Sequence, residues 1–428
     1  MCVDDSSVHD LIEQQEGIRF FSLERNTGRR REGRDSAANE IVPGYRDQIE
    51  ELLLRTSAKR RVLAASIPCR TLATVAAETG CQLISNPPSL TDWLNNKRNF
   101  HTALEELGLP RMAGRWMRFT SARYAELAAE MGPHFFAQLS HGTSGSGTVF
   151  IQSENDYEST GKRFQDEPAW VTPDLGRLSV NINALAFETG TCVSCPSIQL
   201  EGLPFANSSR GMYCGNDYLA AADLAPGVAV NIVEQTAIVG RWLSSIGYRG
   251  LFGLDFVLDP MLSKAYAVDL NPRWQGSTAP LTLAECKAGR LPLAVADLAC
   301  RIGLMSESDV LRHGDEFLRP VNVSHVSLRC PDSIWSEVTG TLRPGVYTLS
   351  GGLKSCELAF AREGLRLTDL AAPDEILVAG GVPRPGTLLA PKSHALRFTS
   401  ERRMTDVYQA AGKLYEALAL DPKEADFN

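Results

Sequence analysis

What the chain has little of narrows its class. Basic charge is short: 43 lysines and arginines against 51 acids give a formal net charge of -8. Neither nucleic acid nor an anionic membrane surface is therefore an expected partner, and any polyanion must be met by a local site. No apolar run reaches the length of a membrane span, and the opening MCVDDSSVHDLIEQQEGIRF has neither a basic start nor an apolar core. The cytoplasm is the expected compartment. Histidine is scarce too, at seven residues, with no persuasive Ser/His/Asp or Cys/His arrangement. Cys192 and Cys195 form a lone C-x-x-C with no second pair at zinc-site spacing. Its flank TCVSCPS reads as a strand end, so we read structure rather than metal or redox, and the ten cysteines as mostly small buried hydrophobes.

What is present is a globular composition, 43% hydrophobic and 22% charged over 428 residues, enough for roughly three domains. The most informative stretch is LFGLDFVLDPMLSKAYAVDLNPRWQGST, Leu251 to Thr278. Phe252, Leu254, Phe256 and Leu258 alternate with Gly253, Asp255 and Val257; Tyr266, Val268 and Leu270 alternate with Ala267, Asp269 and Asn271. Each is a period of two, so Asp269 and Asn271 share a face. With a loop over Pro260 to Lys264, the antiparallel register sets Asp255 opposite Asp269, roughly 5 Å apart at Cβ. Two such carboxylates repel unless a cation sits between them. A hard divalent ion, magnesium above all, suits Asp255, Asp269 and the Asn271 amide oxygen; the alternative is an edge hairpin with its acids in water.

Taken in order, residues 1–44 read as a flexible arm with the basic cluster Arg29, Arg30, Arg31 and Arg34, either a cap for an anionic substrate or a solvated charge run. Residues 45–114 read as a small α/β domain: a helix from Arg46, a buried parallel strand Arg61 to Ile67, a helix ending at Gly80 and a strand Cys81 to Ile84. Asn95 and Asn96 can cap a helix from Lys97 to Leu107. Lys97 in its first turn opposes the helix dipole, and either reaches an anion or is a plain surface lysine. Residues 115–180 hold the strand HFFAQL, a loop from Gly142 to Thr148 (GTSGSGT) and a returning strand from Val149. A hairpin needs no such tip to turn. Gly142, Gly145 and Gly147 let backbone N–H groups converge on an anion while Thr143, Ser144, Ser146 and Thr148 add hydroxyls; the other reading is a mobile tip. It is not a Walker loop, since no lysine follows the last glycine. His141 at its base either touches substrate or is a structural histidine. Residues 181–320 bring two alternating segments, an irregular loop Ser208 to Tyr218 that is a plausible substrate-facing loop, a helix opened by Pro226 and the acid hairpin. From 321 to 428 short strands punctuated by Gly and Pro read as a separate β-rich domain closed by a helix from Met404 to Leu420.

In this order the residues resemble the ATP-grasp superfamily over about 65 to 320, on the helix carrying Lys97, the strand pair with its glycine-rich flap, and the final G-x-DF…VDLNPR segment. The wording NPRWQGST is similar to stand-alone amino acid and peptide ligases of natural-product pathways. The resemblance implies an α/β (α+β) ATP-grasp architecture with a Rossmann-like front domain and two grasp subdomains. It also implies ATP with Mg2+ or Mn2+ as cofactors, a flap that closes over phosphates, metal on Asp255, Asp269 and Asn271, and Arg273 facing phosphate and the acyl-phosphate intermediate. Three departures stand out. Asp269 occupies a position usually held by glutamate, and Gln138 one usually held by lysine; the adenine-hinge glutamate is not found, with Trp170 to Leu175 as the guess and Asp174 a candidate for ribose.

The function this implies is an ATP-dependent, ADP-forming ligase that joins a small-molecule carboxylate to an amine, amino acids or a short peptide, by phosphorylating the carboxylate and then displacing phosphate. Ring closure within one molecule is equally compatible. Two alternatives are carried: a biotin-carboxylase-like enzyme, against which stands the lack of a biotinyl domain or a lysine flanked by methionines, and a non-catalytic ATP-binding protein. A homodimer is the default assembly.

Overall fold

The computed structural model describes residues 6–16, 46–55, 61–64, 69–142, 147–165, 167–176, 178–208, 210–259, 261–331, 333–351 and 356–423. The arginine cluster at 29–34 and the flap residues Thr143, Ser144, Gly145 and Ser146 lie outside them. Among the described residues no helix is long and apolar enough to cross a membrane.

Part of the expected arm is a docked helix, α1 (Ser7–Glu16). Val8 and Leu11 are buried, Ser7 donates its N–H to the Val382 carbonyl at 3.2 Å, and Asp10 pairs with Arg384 at 2.6 Å. Its apolar positions were hidden from a composition reading by the acids and glutamines around them.

The front unit is α2 (Arg46–Arg55), β1 (Val62–Ala64), α3 (Arg70–Thr79) and β2 (Gln82–Ile84), with β1 and β2 parallel through Leu63 opposite Leu83. Helix α3 stops where Gly80 takes φ 64 and donates its N–H back into the last turn. Residues 65–67 of the expected strand lie outside the described residues; Val62 and Ala64 are exposed and Leu63 half-buried, as in a sheet with two strands among the described residues. Helix α4 (Pro88–Leu94) leads to α5 (Lys97–Glu106), where the Asn96 side chain accepts the Arg98 N–H at 3.0 Å as the N-cap.

A four-stranded sheet follows in the order β3 (Arg115–Met117), β6 (Ala169–Pro173), β4 (Phe135–Leu139), β5 (Thr148–Ile151). Helices α6 (Tyr124–Met131) and α7 (Glu154–Phe164) cover it, sharing a core of Phe119, Leu127, Phe135, Ile151 and Phe164.

A third sheet has eleven strands among the described residues. Strand β7 (Ser179–Ala186) pairs with both β8 (Thr191–Val193) and β9 (Ser197–Glu201), so the segment TCVSCPSIQL is two strands broken at Ser194 to Pro196. Beyond β9 lies β10 (Tyr213–Asp217). Helix α8 (Pro226–Ser245) packs Val228, Ile232, Val239 and Leu243 against Phe252, Leu254, Phe256 and Leu258 of β11 (Gly250–Leu258), which pairs with β12 (Ala265–Asn271) at the sheet edge. Helix α9 (Thr278–Lys287) follows. The strands of the C-terminal region join this sheet: β13 (Ser324–Arg329) pairs with β10 on one side. The strands β15 (Gly345–Ser350), β16 (Glu357–Arg362), β17 (Glu375–Gly380) and β19 (His394–Ser400) continue the same sheet. A small sheet of β14 (Trp335–Val338), β18 (Leu388–Leu389) and β20 (Leu420–Lys423) closes the end. The closing helix is two pieces, Met404–Val407 and Gln409–Leu418, and the chain leaves them as a strand. One continuous sheet thus joins the acid hairpin to strands more than 120 residues later.

Candidate nucleotide and metal site

Strands β11 and β12 pair with Asp255 opposite Asp269. The register has a bulge beside them: Phe256 faces Ala267, so Val268 is the extra residue. The simple alternation read from the sequence therefore fails at one point. Ala265, Ala267 and Leu270 are the buried residues of β12, and Val268 lines the cleft with Asp269 and Asn271. A bulge leaves no signature here except the acid it re-aims.

Burial, then the charge of Asp269, pushes the Asp255 carboxyl above its ordinary range. Its two oxygens accept from Asn181 Nδ2 at 2.5 Å and Asn271 Nδ2 at 3.0 Å. Asp269 takes a different counterweight: Lys97 Nζ at 2.5 Å, from a lysine only 5% exposed. The surface-lysine alternative for Lys97 is thereby excluded. The hydrogen-bond net extends behind the acids. Gln275 exchanges hydrogen bonds with Asn181 at 2.9 and 3.1 Å, Ser277 Oγ donates to Asn181 Oδ1 at 2.6 Å, and a Cβ on Gly253 would lie 2.1 Å from the Gln275 amide. Glycine in a strand interior here is what admits Gln275.

These residues fit a hard cation. Among the described residues no group of three or more His, Cys, Asp or Glu side chains could hold a metal. Two carboxylates and an amide are what magnesium takes when water and phosphate complete its shell. The Asn271 Oδ1 already accepts from Arg273 Nη2 at 3.0 Å, and a carbonyl oxygen keeps a second lone pair. The C-x-x-C does not compete: burial pushes both the Cys192 and Cys195 thiols up to about 12.

All of this faces one cleft, whose empty space, open to solvent, is about 1600 Å³. Lys97, Gln138, Gly142, Gly147, Thr148, Asp174, Asp255, Asp269, Asn271 and Arg273 all line it, so the described candidates come together with the exception of His141. Gln138 Nε2 donates to Thr148 Oγ1 at 3.2 Å across the flap strands, and the Lys97 N–H donates to the Ser140 carbonyl at 2.9 Å, tying α5 to the flap base. His141 is exposed, with Nδ1 at 2.9 Å from Ser140 Oγ. Asp174 is engaged by Arg210 through two contacts of 2.6 and 2.7 Å, so the ribose candidate is half of a fork-to-fork ion pair in the wall. Arg210, over the Phe150 ring at 4.3 Å, comes from the loop that the sequence marked only as substrate-facing.

Sequence reasoning also missed Glu201, Tyr213, Arg329, His394 and Arg397, which line the same cleft. Glu201 ends β9; burial raises its carboxyl, and Gln199 Nε2 donates to it at 3.2 Å. The arginines sit in alternating runs, SHVSLR and HALRFTS, which could have marked one polar face but not which cleft it enters.

No family model matches the chain. In structure it is similar to the biotin carboxylase domain dimer of Hydrogenobacter thermophilus 2-oxoglutarate carboxylase in complex with MgADP, ADP and bicarbonate: 12% identity, 99% of this chain and 90% of that one, TM-score 0.57. It is similar as well to carboxyaminoimidazole ribonucleotide synthase from Aspergillus clavatus complexed with ATP, at 12% identity over 98% and 97% of the chains with TM-score 0.55. A biotin carboxylase from Campylobacter jejuni matches at 14% identity over 82% and 72%, TM-score 0.51. At such identities the likeness is one of fold, and the fold of this chain is that of the ATP-grasp enzymes.

Proposed function

We propose that the chain is an ADP-forming ligase that joins a small-molecule carboxylate to an amine, with amino acids or a short peptide as substrates and a biosynthetic role in small peptides or specialised metabolites. The observation that carries this is Asp255 facing Asp269, with the Lys97 ammonium on one of them, in the cleft that also holds the flap and Arg273. An oxygen of the substrate carboxylate attacks the γ-phosphorus of ATP, the bond to the β-phosphate oxygen breaks, and ADP leaves. The amine nitrogen then attacks the carbonyl carbon, the bond to phosphate breaks, and the nitrogen gives up a proton.

The residues divide this labour. Lys97, Gln138, Gly142, Gly147 and Thr148, which line the cleft, would meet the phosphates, with Thr143, Ser144, Gly145 and Ser146 completing the flap sequence. Asp255, Asp269 and Asn271 would hold Mg2+ or Mn2+, which supplies charge neutralisation at the phosphates. Arg273, whose guanidinium is oriented by Asn271 Oδ1 and the Trp274 carbonyl at 3.1 Å, supports the charge on the group in transfer. Asp174, held by Arg210, sets the wall at the nucleotide end.

The test is the nucleotide product formed from MgATP with pools of amino acids and short peptides, wild type beside Asp269→Ala. ADP and phosphate that depend on particular pairs, and vanish in the variant, are expected; AMP as product would sink the acyl-phosphate route. A second reading, an enzyme activating bicarbonate as biotin carboxylases do, is favoured by one observation: the likeness to such a domain extends over 99% of the chain. Bicarbonate-dependent ADP formation that needs added biotin and no amino acid would replace the first reading with this one.

A further inference from the structure

Strand β7 has two faces of opposite character. Val180, Ile182 and Ala184 belong to the core shared with α8, while Asn181 and Asn183, at the alternate positions, are buried on the other face. Asn181 pairs across the strands with Asp255, and Asn183 with Gly253. A buried amide costs free energy unless its polar atoms are bonded, and nothing in the chemistry above uses Asn183.

The turn that follows β12 supplies the partners. The Ile182 carbonyl can only accept, so Gln275 Nε2 faces it at 3.0 Å and the Gln275 oxygen accepts from Asn181. Asn183 stands one step further back. Its Nδ2 donates to Ser277 Oγ at 3.0 Å and to Tyr218 Oη at 3.3 Å, and its Oδ1 accepts from Thr278 Oγ1 at 2.7 Å. Thr278 Oγ1 in turn accepts the Gln275 N–H at 3.0 Å, and Tyr218 Oη donates to the Ser277 carbonyl at 3.2 Å. With a Ser277 lone pair taken by Asn183, the Ser277 proton goes to Asn181 Oδ1 at 2.6 Å, and Asn181 keeps a donor for Asp255 at 2.5 Å. Each proton in this net has one direction, and the last one ends on the carboxylate that faces Asp269.

The backbone of Asn183 is fixed as well. It exchanges hydrogen bonds with Ser194, N–H to Oγ at 3.1 Å and carbonyl from N–H at 2.8 Å. Ser194 stands in the break between β8 and β9, which gives the stretch TCVSCPS a structural task. Asn183 and Thr278 are not among the residues that line the cleft, whereas Arg273, Gln275 and Ser277 of the turn they hold are.

We propose that Asn183, together with Thr278, is a positioning residue for the metal and phosphate end of the cleft: it fixes the turn that carries Arg273 and, through Ser277 and Asn181, the seat of Asp255. The inference rests on the metal and phosphate end of the ligase reading and not on which acid and amine are joined.

The experiment titrates the full-length protein with Mn2+ in the presence of the β,γ-imido analogue of ATP and reads free Mn2+ by electron paramagnetic resonance, with melting curves alongside. Asn183→Ala and Thr278→Val should each weaken Mn2+ binding on the order of 10-fold, the size of effect that residues behind metal ligands have. Thr278→Ser returns the hydroxyl and should bind as wild type does. The double variant should be no weaker than the worse single one, since both break the same link. Thr236→Val is the control for lost stability alone: its buried hydroxyl bonds only the Ile232 carbonyl of its own helix, at 2.7 Å, and Mn2+ binding should not change. If Asn183→Ala does not fold, the Thr278 variants carry the test. Unchanged Mn2+ affinity in Thr278→Val, or an equal loss in Thr236→Val, overturns the assignment, and a wild type that binds no Mn2+ with the analogue overturns the metal site with it. Weakened Mn2+ binding in Thr278→Val beside no ligation from any amine pool would end the ligase reading and keep the positioning role.

Discussion

The eleven-stranded sheet brings like charges close together twice, once face to face at Asp255 and Asp269 and once on neighbouring strands at Arg329 and Arg397. At Asp255 and Asp269 a helix from outside the sheet brings an internal counter-ion, Lys97 at 2.5 Å, and asparagine amides take up the other carboxylate. Arg397 Nε donates to the Ser327 hydroxyl at 3.3 Å and, among the described residues, has no carboxylate partner, while Arg329 Nη1 donates to the Lys392 carbonyl at 2.8 Å. The first site is balanced enough to persist while waiting for its ion.

The largest effect is expected where the balance is internal. Asp269→Ala leaves the Lys97 ammonium, 5% exposed, without its carboxylate, a loss on the order of 3–5 kcal/mol for a broken buried pair. ADP formation should fall by roughly 10³-fold. Adding Lys97→Met in the same chain removes the stranded charge, so thermal stability should recover while turnover does not. A double variant as unstable as the single one would show that Lys97 and Asp269 do not act as a pair.

A buried acid with no like-charged partner separates pairing from burial. Glu285 on α9 is 1% exposed and accepts the Leu293 N–H at 3.0 Å; burial raises its carboxyl from 4.5 to about 7. Because the folded state holds this proton more tightly than the unfolded chain, the protein should lose stability as pH rises from 4.5 through 7, by up to about 3 kcal/mol. Glu285→Gln keeps an acceptor for Leu293 and should flatten that slope. Melting curves across this range check it, and added Mg2+ should leave the Glu285 contribution unchanged. A slope that survives the substitution would assign it to other groups.

Much of the acid site was legible because its signal is local. Alternation in two adjacent runs and a short loop place Asp255 opposite Asp269 without knowledge of anything distant, and the glycines of the flap announce a loop longer than turning requires. What was not legible depends on non-local pairing. Lys97 is separated from Asp269 by most of two subdomains, and nothing in its helix distinguishes a buried ion pair from a surface charge. The bulge at Val268 is invisible because a single extra residue changes facing without changing composition. Arg329 and His394 face each other across 64 intervening residues, so their strands read as a separate β-rich tail. Helix α1 failed for a plainer reason: Val8 and Leu11 are a narrow apolar stripe that is informative only beside the surface at Val382.

The smallest effect tests the comparison in the ligand-free protein. Arg397→Gln removes one of two neighbouring like charges, deletes no described ion pair, and leaves an amide that can still reach Ser327. It should therefore raise stability slightly, by about 0.5 kcal/mol, within the range of cross-strand charge effects. Asp269→Asn at the other site should lower stability, because the charge it removes is the one that Lys97 answers. Opposite signs, measured by denaturant unfolding at low ionic strength and narrowing as salt screens both sites, are the expected pattern. If Arg397→Gln instead destabilises by about 1 kcal/mol or more, that arginine is part of the scaffold.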